Sequence, residues 1–271
     1  MTAGGTQPWE TASLYEPYVG RWSRMVAHQF VAWLNPSSNL EWLDIGCGTG
    51  ALTAAVLDQT YPNYVTCVDP SPGFIAHARA RIPDPRASFA VADAMSLPPG
   101  VRYDAAVSGL VLNFIPQPLD AVRQMARAVR THGLVAAYVW DYAGKMELMR
   151  FFWDAAAGLD RAAADLDEGR RFPLCAPDPL RALFAEAGLA DIEVIAIDIP
   201  TTFRNFDDYW TPFLGGQGPA PAYAMSLTEQ HRSTLRERLR ASLPVSGSGS
   251  IRLTARAWAI RGKRQDMPSA A

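Results

Sequence analysis

The segment Leu43-Asp44-Ile45-Gly46-Cys47-Gly48-Thr49-Gly50 carries the strongest chemical signal in the chain. Glycines at alternate positions permit a tight backbone turn and let a ligand come close to the main chain. Gly46, Gly48 and Ala51 also satisfy a loosened G-x-G-x-x-[GA] dinucleotide fingerprint, so the glycines alone do not select a cofactor. Asp44 bears on that choice, because it stands two residues before the first glycine. A fixed carboxylate there repels a pyrophosphate laid over the turn. It attracts the ammonium and sulfonium of S-adenosylmethionine, a cofactor with no phosphate. Accepting hydrogen bonds from loop N–H groups is compatible with either role.

Methyl transfer from a sulfonium is an in-line displacement with a good leaving group. Proximity and exclusion of water can supply most of the catalysis. A general base is needed only when the nucleophile arrives protonated and weakly acidic. Asp141 is the candidate base, or the group that orients a substrate hydroxyl, and Asn113 is the second candidate catalytic residue. The histidines are poorer choices. His132 precedes a strand, His77 and His231 fall in surface helices, and His28 lies on the first helix.

These residues sit at the junctions of an alternating pattern. Val19, Trp22, Val26, Phe30 and Trp33 recur at helical spacing, within a helical segment spanning 13–36. Short apolar runs at 40–45, 64–68, 87–92, 103–107 and 134–139 read as strands, with helices between them. Ser71 and Pro72 open one helix as N-cap and first residue, and Gly133 is expected to stop another. Later, Asp178 and Pro179 open a helix closed by Gly188, and 192–199 reads as a strand. Ser226 and Glu229 have capping-box spacing ahead of a helix, and 251–260 is the final strand. Continuously apolar strands alternating with helices predict a doubly wound α/β sheet buried on both faces, within a single domain spanning 1–271. Two aromatic-rich stretches, 143–177 and 200–225, break the alternation and are expected to cap the substrate crevice.

Composition narrows the function classes. The 271 residues include 25 Lys+Arg against 27 Asp+Glu, with 49% apolar and 19% charged residues. The formal net charge of −2 offers no footprint for duplex nucleic acid. The four arginines Arg232, Arg236, Arg238 and Arg240 read as a solvated helix face. No apolar run is long enough to span a membrane, and the first ten residues lack the layout of a signal peptide. Cys47, Cys67 and Cys175 show no paired spacing, which predicts a reduced, cytoplasmic setting. No metal site is expected, and the protein is expected to be a monomer or homodimer.

From about Tyr15 to Ala259 the chain resembles the class I S-adenosylmethionine-dependent methyltransferases. It is most similar to the small-molecule group that includes the ubiquinone/menaquinone-biosynthesis type. The glycine segment matches that family's motif without departure. The resemblance implies a Rossmann-like methyltransferase fold, with a seven-stranded, mostly parallel sheet whose last strand is antiparallel. It implies S-adenosyl-L-methionine as cofactor, with S-adenosyl-L-homocysteine as product. Asp44, Gly46, Cys47 and Gly48 then line the loop. Asp69 accepts the ribose hydroxyls beside Pro70, Asp93 takes the adenine amino group, and Ala94 and Met95 flank the ring. Ser108, Gly109 and Leu110 supply backbone contacts. Tyr18 and Arg21 belong to an N-terminal lid segment, where Arg21 suits the methionine carboxylate and Trp22 belongs to the core stripe. Candidate substrate contacts are Tyr15, Phe114, Trp140, Tyr142, Trp153, Trp210 and Phe213. Asn113-Phe114-Ile115-Pro116 replaces the Asn/Asp-Pro-Pro-Tyr signature of the DNA and protein-glutamine groups. The expected acceptor is therefore a small, partly apolar metabolite. A nicotinamide-dependent oxidoreductase and a catalytically silent cofactor-binding partner protein are the alternatives.

Overall fold

The computed structural model describes residues 16–95, 102–216 and 218–266. Its strands are β1 (Glu41–Ile45), β2 (Tyr64–Asp69), β3 (Ala87–Val91), β4 (Tyr103–Gly109), β5 (Val129–Trp140), β6 (Leu189–Phe203) and β7 (Ile251–Arg264). They form one seven-stranded sheet in the order β3-β2-β1-β4-β5-β7-β6. β1 pairs in parallel with β2 on one side and β4 on the other, with Leu43 opposite both Thr66 and Ala106. The last strand is antiparallel. Strand order therefore reverses at β1 and β4, and ligands of open α/β sheets bind beyond the carboxyl ends of strands at such a point.

Burial explains why these short segments are strands. Trp42, Leu43, Asp44 and Ile45 are all buried, as are Ala105, Ala106 and Val107 of β4. Neither strand has a solvent face, so apolar residues run on without alternation. Helix α1 (Arg21–Leu34) precedes β1, α2 (Ala51–Gln59) and α3 (Pro72–Arg81) follow β1 and β2, and α4 (Pro118–Ala128) joins β4 to β5. A π-helical turn at Glu16–Gly20 precedes α1, so that region is two pieces rather than one continuous helix. The cap of α3 is as expected: Ser71 Oγ accepts the Phe74 N–H at 3.3 Å, ahead of Pro72.

Three local expectations are corrected. Gly133 does not stop a helix, because α4 ends at Ala128 and β5 begins at Val129. The register instead skips from Tyr103↔Val129 to Ala105↔Leu134. Residues 130–133 form the irregularity, with His132 at φ 62° and a Gly133 where any Cβ would lie 2.7 Å from the Arg130 carbonyl. The helix α7 (Pro177–Glu186) begins at Pro177, one residue before Asp178. The long helix α10 (Glu229–Ser242) is capped by Thr228, whose hydroxyl accepts the His231 N–H at 3.3 Å. Ser226 instead donates to the Tyr223 carbonyl at 2.8 Å, since it still belongs to the preceding helix, α9 (Pro219–Ser226).

The chain divides into two compact units. A sheet unit takes residues from 23–139, 176–197 and from 258 onward. Its core is the sheet with Val26, Phe30, Val56, Val122 and Met125 of the flanking helices, all essentially solvent-free. A helical unit takes residues up to 22, 140–175 and 198–257. It includes α5 (Glu147–Ala157), the short α6 (Glu168–Arg171) and α8 (Phe206–Trp210), together with α9 and α10. Its interior is aromatic: Phe152 stacks on Phe213 at 4.5 Å, and Phe213 also meets Tyr18 and Tyr209 at 5.4 Å. Among the described residues, no helix is long and apolar enough to cross a membrane.

Candidate cofactor-binding site

The chain leaves β1 through Gly46–Gly50 and enters α2, with Gly46, Gly48 and Gly50 at φ 70°, 53° and 85°. L-residues avoid this left-handed region. The three glycines differ in what surrounds them. A Cβ on Gly46 would lie 2.6 Å from Val111 Cγ2, and one on Gly50 would lie 2.5 Å from Ile82 Cδ1. Gly48 has only the Gly46 carbonyl within reach, at 4.0 Å. Packing thus accounts for the outer two glycines, while the middle one faces open space.

Asp44 is fully buried beneath this loop. Its Oδ2 accepts a 2.6 Å hydrogen bond from Thr53 Oγ1, and its Oδ1 is buried with no partner. Burial pushes its pKa up to about 7 against the pull of Thr53, and the nearby Asp69 charge adds to the rise. A buried carboxylate oxygen without a donor is costly unless a ligand completes it. Thr53 went unnoticed in the sequence. Its signal is a lone hydroxyl in the otherwise apolar opening of α2, Ala51-Leu52-Thr53-Ala54-Ala55.

Asp69 joins the two neighbouring loops. Its Oδ2 accepts the Gly48 N–H at 3.0 Å and its Oδ1 accepts the Ser71 N–H at 2.8 Å. Burial raises its pKa, and these two N–H groups oppose the rise. Each oxygen retains acceptor capacity beyond one bond. Pro70 beside it is exposed. Burial pushes the Cys47 thiol well up, which removes it as a nucleophile.

After β3, Asp93 is exposed and its Oδ1 accepts the Met95 N–H at 2.9 Å, while Ala94 is buried and Met95 half-buried. At the end of β4 the buried Ser108 hydroxyl donates to the Ile45 carbonyl at 2.9 Å, so its side chain braces β1 against β4. Gly109 leaves room for Tyr138, whose hydroxyl would lie 2.5 Å from a Cβ there. Leu110 holds φ 63°, with its N–H on the Tyr138 carbonyl at 2.8 Å. A leucine held left-handed at a strand end is strained backbone of the kind that clusters at functional sites. In the 3-10 turn Leu112–Phe114, both amide atoms of Asn113 are buried and unpartnered, and Phe114 is half-buried. All of these belong to the sheet unit and lie at the carboxyl ends of β1 to β4.

The remaining candidates belong to the helical unit. Asp141 does not present a free carboxylate. Its Oδ1 accepts the Gly144 N–H at 3.0 Å and its Oδ2 the Lys145 N–H at 2.9 Å. These bonds fold the turn after β5, and each oxygen retains acceptor capacity beyond one bond. Trp140, Tyr142, Trp153, Trp210 and Phe213 are all buried. Trp153 Nε1 donates to Glu168, a buried acid that sequence reasoning passed over, and burial pushes that acid up to about 7. Nothing in the run Asp165-Leu166-Asp167-Glu168-Gly169-Arg170 distinguishes the buried Asp167 and Glu168 from the exposed Asp165. The Tyr18 hydroxyl donates to Met149 Sδ at 3.0 Å. Arg21 pairs with Asp208 at 3.3 Å and lies over the Trp22 and Phe203 rings. Tyr15 lies outside the described residues. Among the described residues, no group of three His, Cys, Asp or Glu side chains could hold a metal ion.

Comparison with known proteins agrees with this geometry. Residues 43–137, the span that carries the glycine loop and β1 to β5, match the family described as a methyltransferase domain. The malonyl-[acyl-carrier protein] O-methyltransferase of Acetivibrio thermocellus is 27% identical over 139 residues, 51% of this chain and 49% of that one. The trans-aconitate 2-methyltransferase of Rhizobium etli is 25% identical over 216 residues, 78% of this chain and 82% of that one. The chain thus spans about half the length of the first relative and four-fifths of the second. Haemonchus contortus phosphoethanolamine N-methyltransferase 2, solved with S-adenosylhomocysteine, shares the fold with a TM-score of 0.57 at 15% identity. That match covers 94% of this chain and 57% of that one. Residues 43–137 thus match a methyltransferase domain, and the relatives and solved structures support a class I S-adenosylmethionine-dependent methyltransferase of the small-molecule type.

Proposed function

We propose that this protein transfers a methyl group from S-adenosylmethionine to a small, partly apolar acceptor, chiefly by holding the reactants together and excluding water. The observation that carries the reading is Asp44 Oδ1, a buried carboxylate oxygen without a partner beneath a left-handed glycine loop. A cationic group meets that need and an anionic pyrophosphate worsens it. Bound at this loop, the cofactor supplies an activated methyl group on a sulfonium. The chain's residues do the positioning. Asp44 holds the ammonium, and Gly48 leaves the main chain open to close approach. Asp69 accepts ribose hydroxyls with its spare lone pairs, Asp93 and Met95 receive the adenine, and Leu110 offers its backbone. Asn113 has both a donor and an acceptor to give, and it is assigned to orienting the acceptor's reacting atom.

A small acceptor is supported by the name of the Rhizobium etli relative, a trans-aconitate 2-methyltransferase, while the other relative is named for malonyl-[acyl-carrier protein]. All three cysteines are free, which supports a reducing, cytoplasmic setting. Incubation with methyl-deuterated cofactor and a pool of small metabolites, read by mass spectrometry, tests the reading. Labelled methyl in a small product supports it. Cofactor bound normally, with no labelled product from any pool, favours a binding protein instead.

A further inference from the structure

We infer that Thr53, backed by Cys67, is a positioning residue that aims Asp44 at the cofactor's ammonium. All three side chains belong to the sheet unit. Asp44 of β1 lies opposite Cys67 of β2 and Val107 of β4. Residues in register on neighbouring strands share one face of the sheet. Thr53, in the first turn of α2, reaches down to that face. Its Oγ1 donates to Asp44 Oδ2 at 2.6 Å and lies 3.3 Å from Cys67 Sγ. Asp44, Thr53 and Cys67 are each 0% exposed, so bulk water does not reach the group. Val107 is apolar and offers Asp44 no donor. Thr53 thus supplies what the strands cannot.

The hydroxyl suits both protonation states of the acid. An ionised carboxylate only accepts, so Thr53 then donates to Oδ2. The Cys67 thiol keeps an outlet of its own, the Val65 carbonyl at 3.7 Å. When Asp44 is neutral, its proton lies on Oδ2 and is donated to Thr53 Oγ1. The hydrogen of Thr53 then turns to the Cys67 sulfur, a weak acceptor. Oδ2 is bonded in both states and Oδ1 in neither, being buried without a partner. The open oxygen therefore stays in place while the proton comes and goes. The titratable groups around Asp44 are Asp69 and Cys67 on β2 and Cys47 in the loop. The charge of Asp69 raises the acid further, and burial pushes both thiols well up, so they stay neutral. Thr53 is the group that opposes burial and keeps Asp44 ionisable.

This role deepens the methyltransferase reading and rests on it, since it takes the ammonium as the ligand of Asp44. The test is calorimetric titration of the full chain between pH 6 and 9 as wild type, Thr53→Val, Thr53→Ala and Thr53→Ser. The probes are S-adenosylhomocysteine and 5′-methylthioadenosine, which lacks the amino-acid end. Losing a hydrogen bond to the charged acid raises its pKa, so the pH at which S-adenosylhomocysteine affinity levels off should climb by about one to two units in Thr53→Val. At pH 7 that is a loss of roughly tenfold, largely regained at pH 9. Thr53→Ala, made in case valine does not fit, should behave the same way. Thr53→Ser keeps the hydroxyl and should bind as the wild type does, and methylthioadenosine should not change in any variant. Wild-type affinity in both the valine and alanine variants at every pH overturns the inference. So does an equal loss for both nucleosides at every pH, which marks a merely structural threonine. A second readout needs no ligand: the 13C signal of the Asp44 carboxyl, assigned by its absence in Asp44→Asn. It should titrate higher without the hydroxyl, and an unchanged midpoint overturns the inference whatever binds. A wild type that binds neither nucleoside overturns the methyltransferase reading, and with it the ammonium as the ligand that Thr53 serves.

Discussion

Asp44 uses its two oxygens differently, one on Thr53 and one on nothing within the protein. Its folded-state pKa near 7 lies above the ordinary 3.8. An acid raised in this way leaves the folded state most favoured below pH 4, and that advantage is lost as the pH climbs towards 7. A cationic ligand reverses the preference, because it stabilises the ionised form. S-adenosylhomocysteine should therefore bind more tightly as the pH rises from 6 to 8, releasing protons at the lower end. Titration in buffers of different ionisation enthalpy measures that release. Asp44→Asn keeps an acceptor for Thr53 and removes the charge. It should weaken the cofactor ten- to hundredfold, about 1.4–2.8 kcal/mol, without lowering the Tm of the free protein at pH 8. Asp44 was legible in the sequence because its place before the glycines is local. The engagement of Arg21 was not, since its partner Asp208 is 187 positions away and no local pattern announces it.

The caps make the same point for the elements. Ser71 was readable because a proline followed it directly, whereas Ser226 looked like a cap only by its spacing to Glu229. The structure gives that place to Thr228, because α9 runs on through Ser226. Thermal unfolding can separate them: Ser71→Ala and Thr228→Ala should each cost about 1 kcal/mol, and Ser226→Ala clearly less. The glycine loop divides in a similar way. Gly46→Ala must move Val111 and also adopt a left-handed backbone, so it should destabilise the protein as well as weaken binding. Gly48→Ala meets no neighbour, so its stability cost should be limited to the strain of φ 53°, about 1 kcal/mol, with the larger loss in cofactor affinity. Strands β1 and β4 were legible because burial on both faces makes them short and apolar. The outer parts of β6 and β7 alternate buried and exposed residues, so polar positions hid their true lengths of 15 and 14 residues.

For the whole molecule, buried acids set the pH dependence, with Asp69 raised by burial in the same direction as the two that follow. Asp44 in the sheet unit and Glu168 in the helical unit are both pushed up to about 7 by burial. Asp84 and Asp198 are pulled down by Arg86 and Arg256, which favours the folded state at higher pH, but both pairs are solvent-screened and weak. The ligand-free protein should therefore be more stable at pH 5 than at pH 8. Glu168→Gln, which preserves an acceptor for Trp153, should flatten that slope in urea unfolding. The division into two units was not legible, because each is assembled from stretches far apart in the chain. The parallel character of the first strands was legible, since strands joined through helices pair in parallel, whereas their order was not.

The central claim is that a carboxylate beneath the glycine loop selects a sulfonium cofactor over a dinucleotide. Calorimetric titration of the purified chain with S-adenosylmethionine, S-adenosylhomocysteine and NADH tests it directly. The account predicts micromolar binding of the two sulfur nucleotides, weakened by Asp44→Asn, and no heat from NADH. Binding of NADH alone would contradict it.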